Sequence, residues 1–507
     1  MSDATSTSSS QPSTATTTAT TSATRSYDVI VIGAGPVGEN VADRTVQGGL
    51  STLIVESELV GGECSYWACM PSKVLLRSGA ALAAARRVAG AAEAVTRQLD
   101  VAAVLKRRTE FTHDWKDDSQ VSWLDSAGID LLRGHARLSG VRQVTVETAD
   151  GPVVVTATHA VVLSTGSDAL LPDIDGLADV APWTSRDATA VTDLPGHLAI
   201  IGGGVVAVEM AAAYRSLGVE VTLLVRSSLL RDQEPFAGDL VGAALTDAGV
   251  TVLSDASPTA ARRTETGQVA LVLADGRTVT ADEVLVATGR SPRSQDIGLE
   301  TVGLTPGDWV GVDDTLLVTG DSAALAGDWL YAAGDINHRA LLTHQGKYQA
   351  RAAGDVIAAR AAGHVVDDAP WGTHVATADH AAVPQVTFTD PEVASVGLTA
   401  AAAEKAGFRT RVLDYDLSSV AGASVLADGY TGQARAIVDL DTEVLLGVTF
   451  VGAGVGELLH AATIAVVGEV PISRLWHAVP SYPTLSEVWL RLLETYGRPP
   501  AESDRGF

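Results

Sequence analysis

Tyr27-Asp28-Val29-Ile30-Val31-Ile32-Gly33-Ala34-Gly35-Pro36-Val37-Gly38 decides the fold. Its first six residues are a short apolar run, broken only by Asp28 and rich in β-branched residues, the pattern of a buried strand of a parallel sheet. The strand runs directly into G-x-G-x-x-G. A helical pattern follows, and a second strand, Ser51-Thr52-Leu53-Ile54-Val55, ends at Glu56. Each glycine has a task in such a βαβ unit. Gly33 makes the tight turn, Gly35 lets a pyrophosphate approach the backbone, and Gly38 lets helix pack on strand. The helix N-terminus stabilises phosphate charge, and Glu56 stands where a ribose diol would donate to it.

The pattern recurs. His197-Leu198-Ala199-Ile200-Ile201 leads into Gly202-Gly203-Gly204-Val205-Val206-Ala207, with a helix to about Leu217 and a strand over Val219–Val225. Gly202, Gly204 and Ala207 occupy the three motif positions. This strand ends on Arg226 instead of an acid, with Arg231 close behind. An acid there repels a 2′-phosphate, whereas two arginines attract one, so the second site is expected to prefer NADPH, with NADH possible.

Between the two units lies Gly61-Gly62-Glu63-Cys64-Ser65-Tyr66-Trp67-Ala68-Cys69-Met70-Pro71-Ser72-Lys73, which holds the only two cysteines in 507 residues. A disulfide closing so short a loop removes little unfolded-state entropy. A metal site needs about four ligands, and no second pair or His cluster supplies them, so no metal is expected. A dithiol that opens and closes is the remaining use. Two dinucleotide units and one dithiol describe an electron line, from NADPH to a flavin and on to the cysteine pair.

Composition agrees with a large α/β enzyme: 46% hydrophobic, 19% charged, net charge −26. So acidic a surface argues against nucleic acid and anionic membranes as partners. The first residues are mostly Ser, Thr and Ala and lack the apolar run of about 7–15 residues that a secretory signal needs. A tail over 1–26 and a cytoplasmic location are therefore expected. The expected division is a flavin unit in two segments, 27–170 and 292–372, interrupted by a nucleotide unit over 171–291. A C-terminal α+β interface unit covers 373–507, its sheet opening near Val383-Pro384, with strands at Val383–Phe388 and Thr449–Gly452 and a helix over Val455–Val467. Ser78–Asp118 has helical spacing beside the redox segment.

From Tyr27 to about Trp489 the chain resembles the pyridine nucleotide–disulfide oxidoreductases, a group that includes glutathione reductase, dihydrolipoamide dehydrogenase and mercuric reductase. The likeness rests on both Gly-rich turns, on C-x4-C-x-P-S-K, on Ser164-Thr165-Gly166, Ala287-Thr288-Gly289-Arg290 and Tyr331-Ala332-Ala333-Gly334-Asp335, and on Val386–Glu392, in that order along the chain. The resemblance implies two Rossmann-like domains plus a dimerisation domain, FAD as cofactor and a homodimer whose site uses both chains. It implies a flavin set of Gly33, Gly35, Gly38, Glu56, Lys73, Ala136, Thr165, Gly166, Asp335 and Thr343. The implied NAD(P) set is Gly202, Gly204, Ala207, Glu209, Arg226, Arg231 and Gly289. Cys69 would be the flavin-proximal thiol and Cys64 the interchange thiol. Lys73 would pair with Glu209, a carboxylate otherwise costly in an apolar helix.

One departure matters. The family's C-terminal catalytic His is replaced by Tyr482 within Ser481-Tyr482-Pro483-Thr484-Leu485-Ser486-Glu487, while the paired Glu487 is kept. His titrates near 6.5 and Tyr near 10, so Tyr482 donates hydrogen bonds but is a poor base at neutral pH. Mercuric reductase also carries a C-terminal cysteine pair, and here there is no third cysteine. The expected reaction is NAD(P)H oxidation through FAD onto a small acceptor such as a quinone, a metal ion or another electrophile. Tyr482 and Glu487 would lie in the partner's site. The alternatives are a disulfide or dihydrolipoamide-type dehydrogenase that uses Tyr482, and a redox-sensing flavoprotein. His344, His460 and His477 are candidate substitutes for the missing base, His344 foremost because it follows the flavin segment.

Overall fold

The computed structural model describes residues 25–497. The expected tail lies outside the described residues except for Arg25 and Ser26, which begin the first strand. The chain opens with β1 (Arg25–Ile32), α1 (Pro36–Gln47) and β2 (Thr52–Glu56). Pro36 sits at the first helical position, where its missing N–H costs nothing. Two helices carry the cysteine segment, α2 (Gly62–Tyr66) and α3 (Cys69–Arg86), followed by α4 (Val101–Phe111) and α5 (Asp118–Ala127). Strands β3 (Asp130–Arg133), β4 (His135–Gly140), β5 (Gln143–Thr148) and β6 (Gly151–Leu163) complete this stretch.

The first sheet has the order β3-β2-β1-β6-β5-β4. Strands β1, β2, β3 and β6 are parallel, whereas β4, β5 and β6 form an antiparallel meander. Alternation along β1 sorts the core. Val29 and Val31 face the layer of α1 with Val41 and Ile54, while Ile30 and Ile32 face Leu53, Val161 and Trp329.

A short strand, β7 (Ser167–Ala169), leads out to α6 (Ser185–Ala190) and the second βαβ unit: β8 (His197–Ile201), α7 (Val205–Ser216), β9 (Glu220–Leu224). After α8 (Pro235–Asp247) come β10 (Thr251–Leu253), the hairpin strands β11 (Pro258–Arg263), β12 (Val269–Leu273) and β13 (Thr278–Ala281), then β14 (Glu283–Val286) and β15 (Arg290–Pro292). The second sheet is parallel throughout, β10-β9-β8-β14, and β15 returns antiparallel to β7. Then β16 (Leu330–Ala332) rejoins the first sheet beside β6, and α9 (Thr343–Ala361) packs on α1.

Residues 376–379 still hold to this first unit. Ala376 N–H donates to Asp314, and Asp379 accepts from Gln345 (2.7 Å) and Gln349 (2.9 Å) on α9. The C-terminal sheet is antiparallel, with Gln385–Thr387, Glu392–Gly397, Leu445–Gly452, Gln433–Asp439 and Thr410–Asp416 as neighbours in that order. The expected helix over 455–467 divides into a tight turn, Val455–Leu458, and a helix, Leu459–Val467. Among the described residues no helix is long and apolar enough to cross a membrane.

Candidate active site

The cysteine segment starts with two glycines in the left-handed region, Gly61 (φ 107°) and Gly62 (φ 57°). Gly61 N–H donates to Ala34 O, and Gly62 lies so close to Gly35 that a Cβ on it would sit 2.7 Å from the Gly35 Cα. Only glycine allows this approach. The redox helix is thereby laid across the first Gly-rich turn. Cys64 falls inside α2 and Cys69 opens α3. Both are free, half-buried thiols. The Cys69 Sγ lies 3.2 Å from the hydroxyl of Thr343, the first residue of α9.

The two thiols are chemically unequal. The hydrogen bond from Cys64 brings Cys69 down to about 6 against the opposing effect of burial; the Thr343 hydroxyl and the charge of Lys73 act in the same direction. That same hydrogen bond, then burial, pushes Cys64 up. Cys69 therefore bears the negative charge of the pair and Cys64 keeps the proton.

One turn into α3, Lys73 Nζ donates to Glu209 Oε2 on α7 at 2.8 Å. Glu209 is 2% exposed, and its other oxygen accepts from Phe388 N–H at 2.9 Å. Both carboxylate oxygens are thus satisfied. The pair joins the first unit to the second, and Phe388 ties in the C-terminal unit.

These groups share one cavity of about 800 Å³, within the usual range for ligand sites. Gly33, Gly35, Glu56, Ala136, Thr165 and Gly166 line one end. Asp335, Thr343, Cys64, Cys69, Lys73 and Glu209 line the other parts, with Val205, Val206 and Met210 from α7. Glu56, which lines the cavity, accepts from Ala34 and Glu58 N–H, both at 2.7 Å, which leaves each oxygen a further lone pair. Asp335 accepts from the Ser167 hydroxyl, which Arg290 also contacts. Gly38 lies behind the wall; a Cβ there would meet Gly33 O at 1.9 Å.

The remaining expected residues lie apart from this cavity. Gly202 turns at φ 142° against Ala287 O, Gly204 faces open space, Ala207 is buried, and Gly289 turns at φ 148°. Arg226 is exposed, and Arg231 is exposed with Asp232 3.6 Å away. Tyr482 is 75% exposed. Glu487 is buried and held by Arg491, with its Oε2 unpaired. His344 turns away, its Nε2 donating to Pro384 O at 2.8 Å, and His460 and His477 are exposed. None of the three histidines lines the cavity.

Sequence reasoning missed a charged cluster beside the cavity. Arg186 on α6 donates to Glu63 (2.8 Å) and Glu58 (2.7 Å), and Arg293 donates to Asp168 (2.6 Å). Arg293 stands three residues after Arg290 of the Ala287–Arg290 motif, the one sequence signal for it. Arg186 lies in a connecting stretch without motif.

The cavity fits a dinucleotide cofactor. Beside the glycine cradle, the Ser164 hydroxyl lines the wall, buried and without a partner. Residues 27–356 match the pyridine nucleotide-disulphide oxidoreductase family model and 383–492 match its dimerisation domain. The chain belongs to the pyridine nucleotide–disulphide oxidoreductases. It is 31% identical to a mercuric reductase of Acidithiobacillus ferrooxidans over 93% of this chain and 82% of that one. It is equally 31% identical to a dihydrolipoyl dehydrogenase of Thermus scotoductus, over 91% and 96%. The HOCl-induced flavoprotein disulfide reductase RclA of Escherichia coli shares the fold, with a TM-score of 0.78 at 22% identity over 93% and 99% of the chains. LpdA of Mycobacterium tuberculosis does so at 0.77 and 23%, over 93% and 100%. Oxidoreductases of this family depend on FAD and use NAD(P)H, and the dimerisation domain supports a homodimer.

Proposed function

We propose that this family member oxidises NADPH and delivers two electrons to a small acceptor such as a quinone, a metal ion or another electrophile, with Cys64 and Cys69 as its redox couple. The unequal thiol pair on the cavity wall carries the reading. FAD, when bound, supplies hydride acceptance and passage of electrons to sulfur. Gly33 and Gly35 give its phosphates room, and Glu56 and Asp335 offer acceptors along the same wall. Cys69 holds negative charge where its helix begins, beside Thr343 and Lys73. Glu209, fixed by Phe388 N–H, holds the Lys73 ammonium in place. Cys64 keeps its proton and takes the role of interchange thiol. Arg226 at the end of the second unit favours a 2′-phosphate.

The acceptor is small because the general base of the disulfide reductases is missing. Tyr482, exposed on this chain, serves the partner subunit's site as a hydrogen-bond donor, together with Glu487. The dihydrolipoyl-type alternative draws on the complete dithiol and on the 31% identical dihydrolipoyl dehydrogenase.

The test is anaerobic NADPH titration of the FAD-loaded protein, followed by an acceptor panel. A long-wavelength thiolate–flavin band is expected, with quinone turnover exceeding that of lipoamide or glutathione disulfide by at least about 100-fold, the worth of one general base. No band sinks the redox couple. Fast lipoamide turnover sinks the small acceptor.

A further inference from the structure

The backbone between the two cysteines is held at both central carbonyls by side chains from outside the segment. The Thr189 hydroxyl on α6 donates to Trp67 O at 2.7 Å. Its own helix offers Ser185 O at 3.0 Å and Arg186 O at 3.2 Å, so the shortest contact is the one to the redox turn. The Trp115 indole N–H donates to Tyr66 O at 3.2 Å. Trp115 ends three successive non-glycine residues in the left-handed region: His113 (φ 50°), Asp114 (φ 56°) and Trp115 (φ 52°). Each such residue costs about 1–2 kcal/mol, and strain of this kind concentrates at functional sites.

Arg108 links the two supports. It is 1% exposed, its guanidinium donates to Thr189 O and to Val191 O (2.7 Å), and it lies 5.2 Å over the Trp115 ring. A buried cation bonded to neutral carbonyls is costly, and here it locks α6 to the strained turn. Arg186 adds a third tie, stacked at 4.1 Å on Trp67 and bonded to Glu63 beside Cys64.

We propose that Thr189 and Trp115 are positioning residues that set the thiol–disulfide equilibrium of Cys64 and Cys69. The inference rests on the reading of this pair as the redox couple. Reduction breaks one S–S bond: two electrons, supplied from NAD(P)H, and one proton convert the disulfide to a Cys69 thiolate and a Cys64 thiol. Closing it again requires the sulfurs to come within about 2.05 Å at a fixed dihedral. The carbonyl anchors are contacts of the open, dithiol state. They favour that state and oppose the turn's adjustment on closure.

The experiment equilibrates full-length, FAD-loaded protein in glutathione redox buffers and counts free thiols by alkylation. Thr189→Val keeps the shape and loses the donor. It is expected to shift the equilibrium about tenfold toward disulfide, or about 30 mV. Thr189→Ser, which restores a hydroxyl, is expected to titrate with the wild type. Trp115→Phe is expected to shift in the same direction as Thr189→Val, and it decides the matter if Thr189→Val fails to fold. A Thr189→Val protein with full flavin content that titrates with the wild type, or shifts toward dithiol, overturns the proposal. A wild-type protein without any thiol–disulfide transition would instead overturn the redox-couple reading beneath it.

Discussion

The two βαβ units use one backbone device and end differently. In the first, β2 closes on Glu56, which is 9% exposed, bonded twice to backbone N–H and set in the wall of the 800 Å³ cavity. In the second, β9 gives way to the exposed Arg226, and Gly204 faces open space. The first glycines are equally crowded, a Cβ on Gly33 meeting Ser164 O at 2.4 Å and one on Gly202 meeting Ala287 O at 2.2 Å; the second glycines differ, since a Cβ on Gly35 would reach the Gly62 Cα at 4.0 Å and one on Gly204 would meet nothing within 4 Å. The cysteine segment lies over the first turn at its second glycine, beside the cavity that a resident cofactor would fill. The second turn is open at that position, as a nucleotide leaving each cycle would need. The same glycine motif therefore says little about residence; its surroundings decide.

The sharpest way to break this contrast is to add one methyl group to each turn. Gly35→Ala places a methyl group 4.0 Å from the Gly62 Cα, in the room a pyrophosphate would need, so no retained flavin is expected. Gly204→Ala is expected to remain yellow and fold normally, with only its NAD(P)H KM raised. Flavin absorbance and thermal melting read both, and a yellow Gly35→Ala protein would end the distinction.

The ion pair that joins the units comes next. Lys73→Met leaves the Glu209 carboxylate buried with only Phe388 N–H as partner. Lys73 is itself 35% exposed, which places the expected loss near the lower end for a broken buried pair, about 3 kcal/mol. Urea denaturation measures it, and Glu209→Gln, which leaves no bare charge, is expected to cost less. Equal costs would mean that the buried carboxylate is not what the lysine serves.

At the open unit, Arg226→Glu is expected to lower kcat/KM for NADPH roughly tenfold and to leave NADH unchanged, because only the former carries the 2′-phosphate. Parallel loss for both nucleotides would remove Arg226 from cofactor choice.

A pH dependence belongs to the cysteine pair. Cys69 is lowered from 9.0 to about 6, so iodoacetamide alkylation of the reduced protein should rise with a midpoint near pH 6. The sign for stability follows from linkage. Between about 6 and 9 the unfolded chain binds the proton that native Cys69 has lost, so this thiolate's stabilisation grows as pH rises and vanishes as pH falls through 6. Cys64, pushed up, works oppositely only above the ordinary thiol range. A midpoint near 9 would show that the pair is not polarised.

Much of the architecture is legible in the sequence. β-Branched runs, glycine spacing and the paired cysteines are short-range signals, because steric exclusion around a turn and alternation along a strand act over a few residues. They placed both Gly-rich turns and the parallel sheets around them. Partnerships across the chain were another matter. Lys73 with Glu209 was expected through family resemblance alone, since 136 positions separate them. His344 neighbours Thr343 in sequence, yet Thr343 meets Cys69 while the His344 ring turns to Pro384. Arg108, Thr189 and Trp115 carried no signal at all. Their meeting depends on where α4 and α6 come to rest. Sequence determined the local backbone; only the folded arrangement decided which side chains reach the sulfurs, because those contacts depend on packing between elements far apart along the chain.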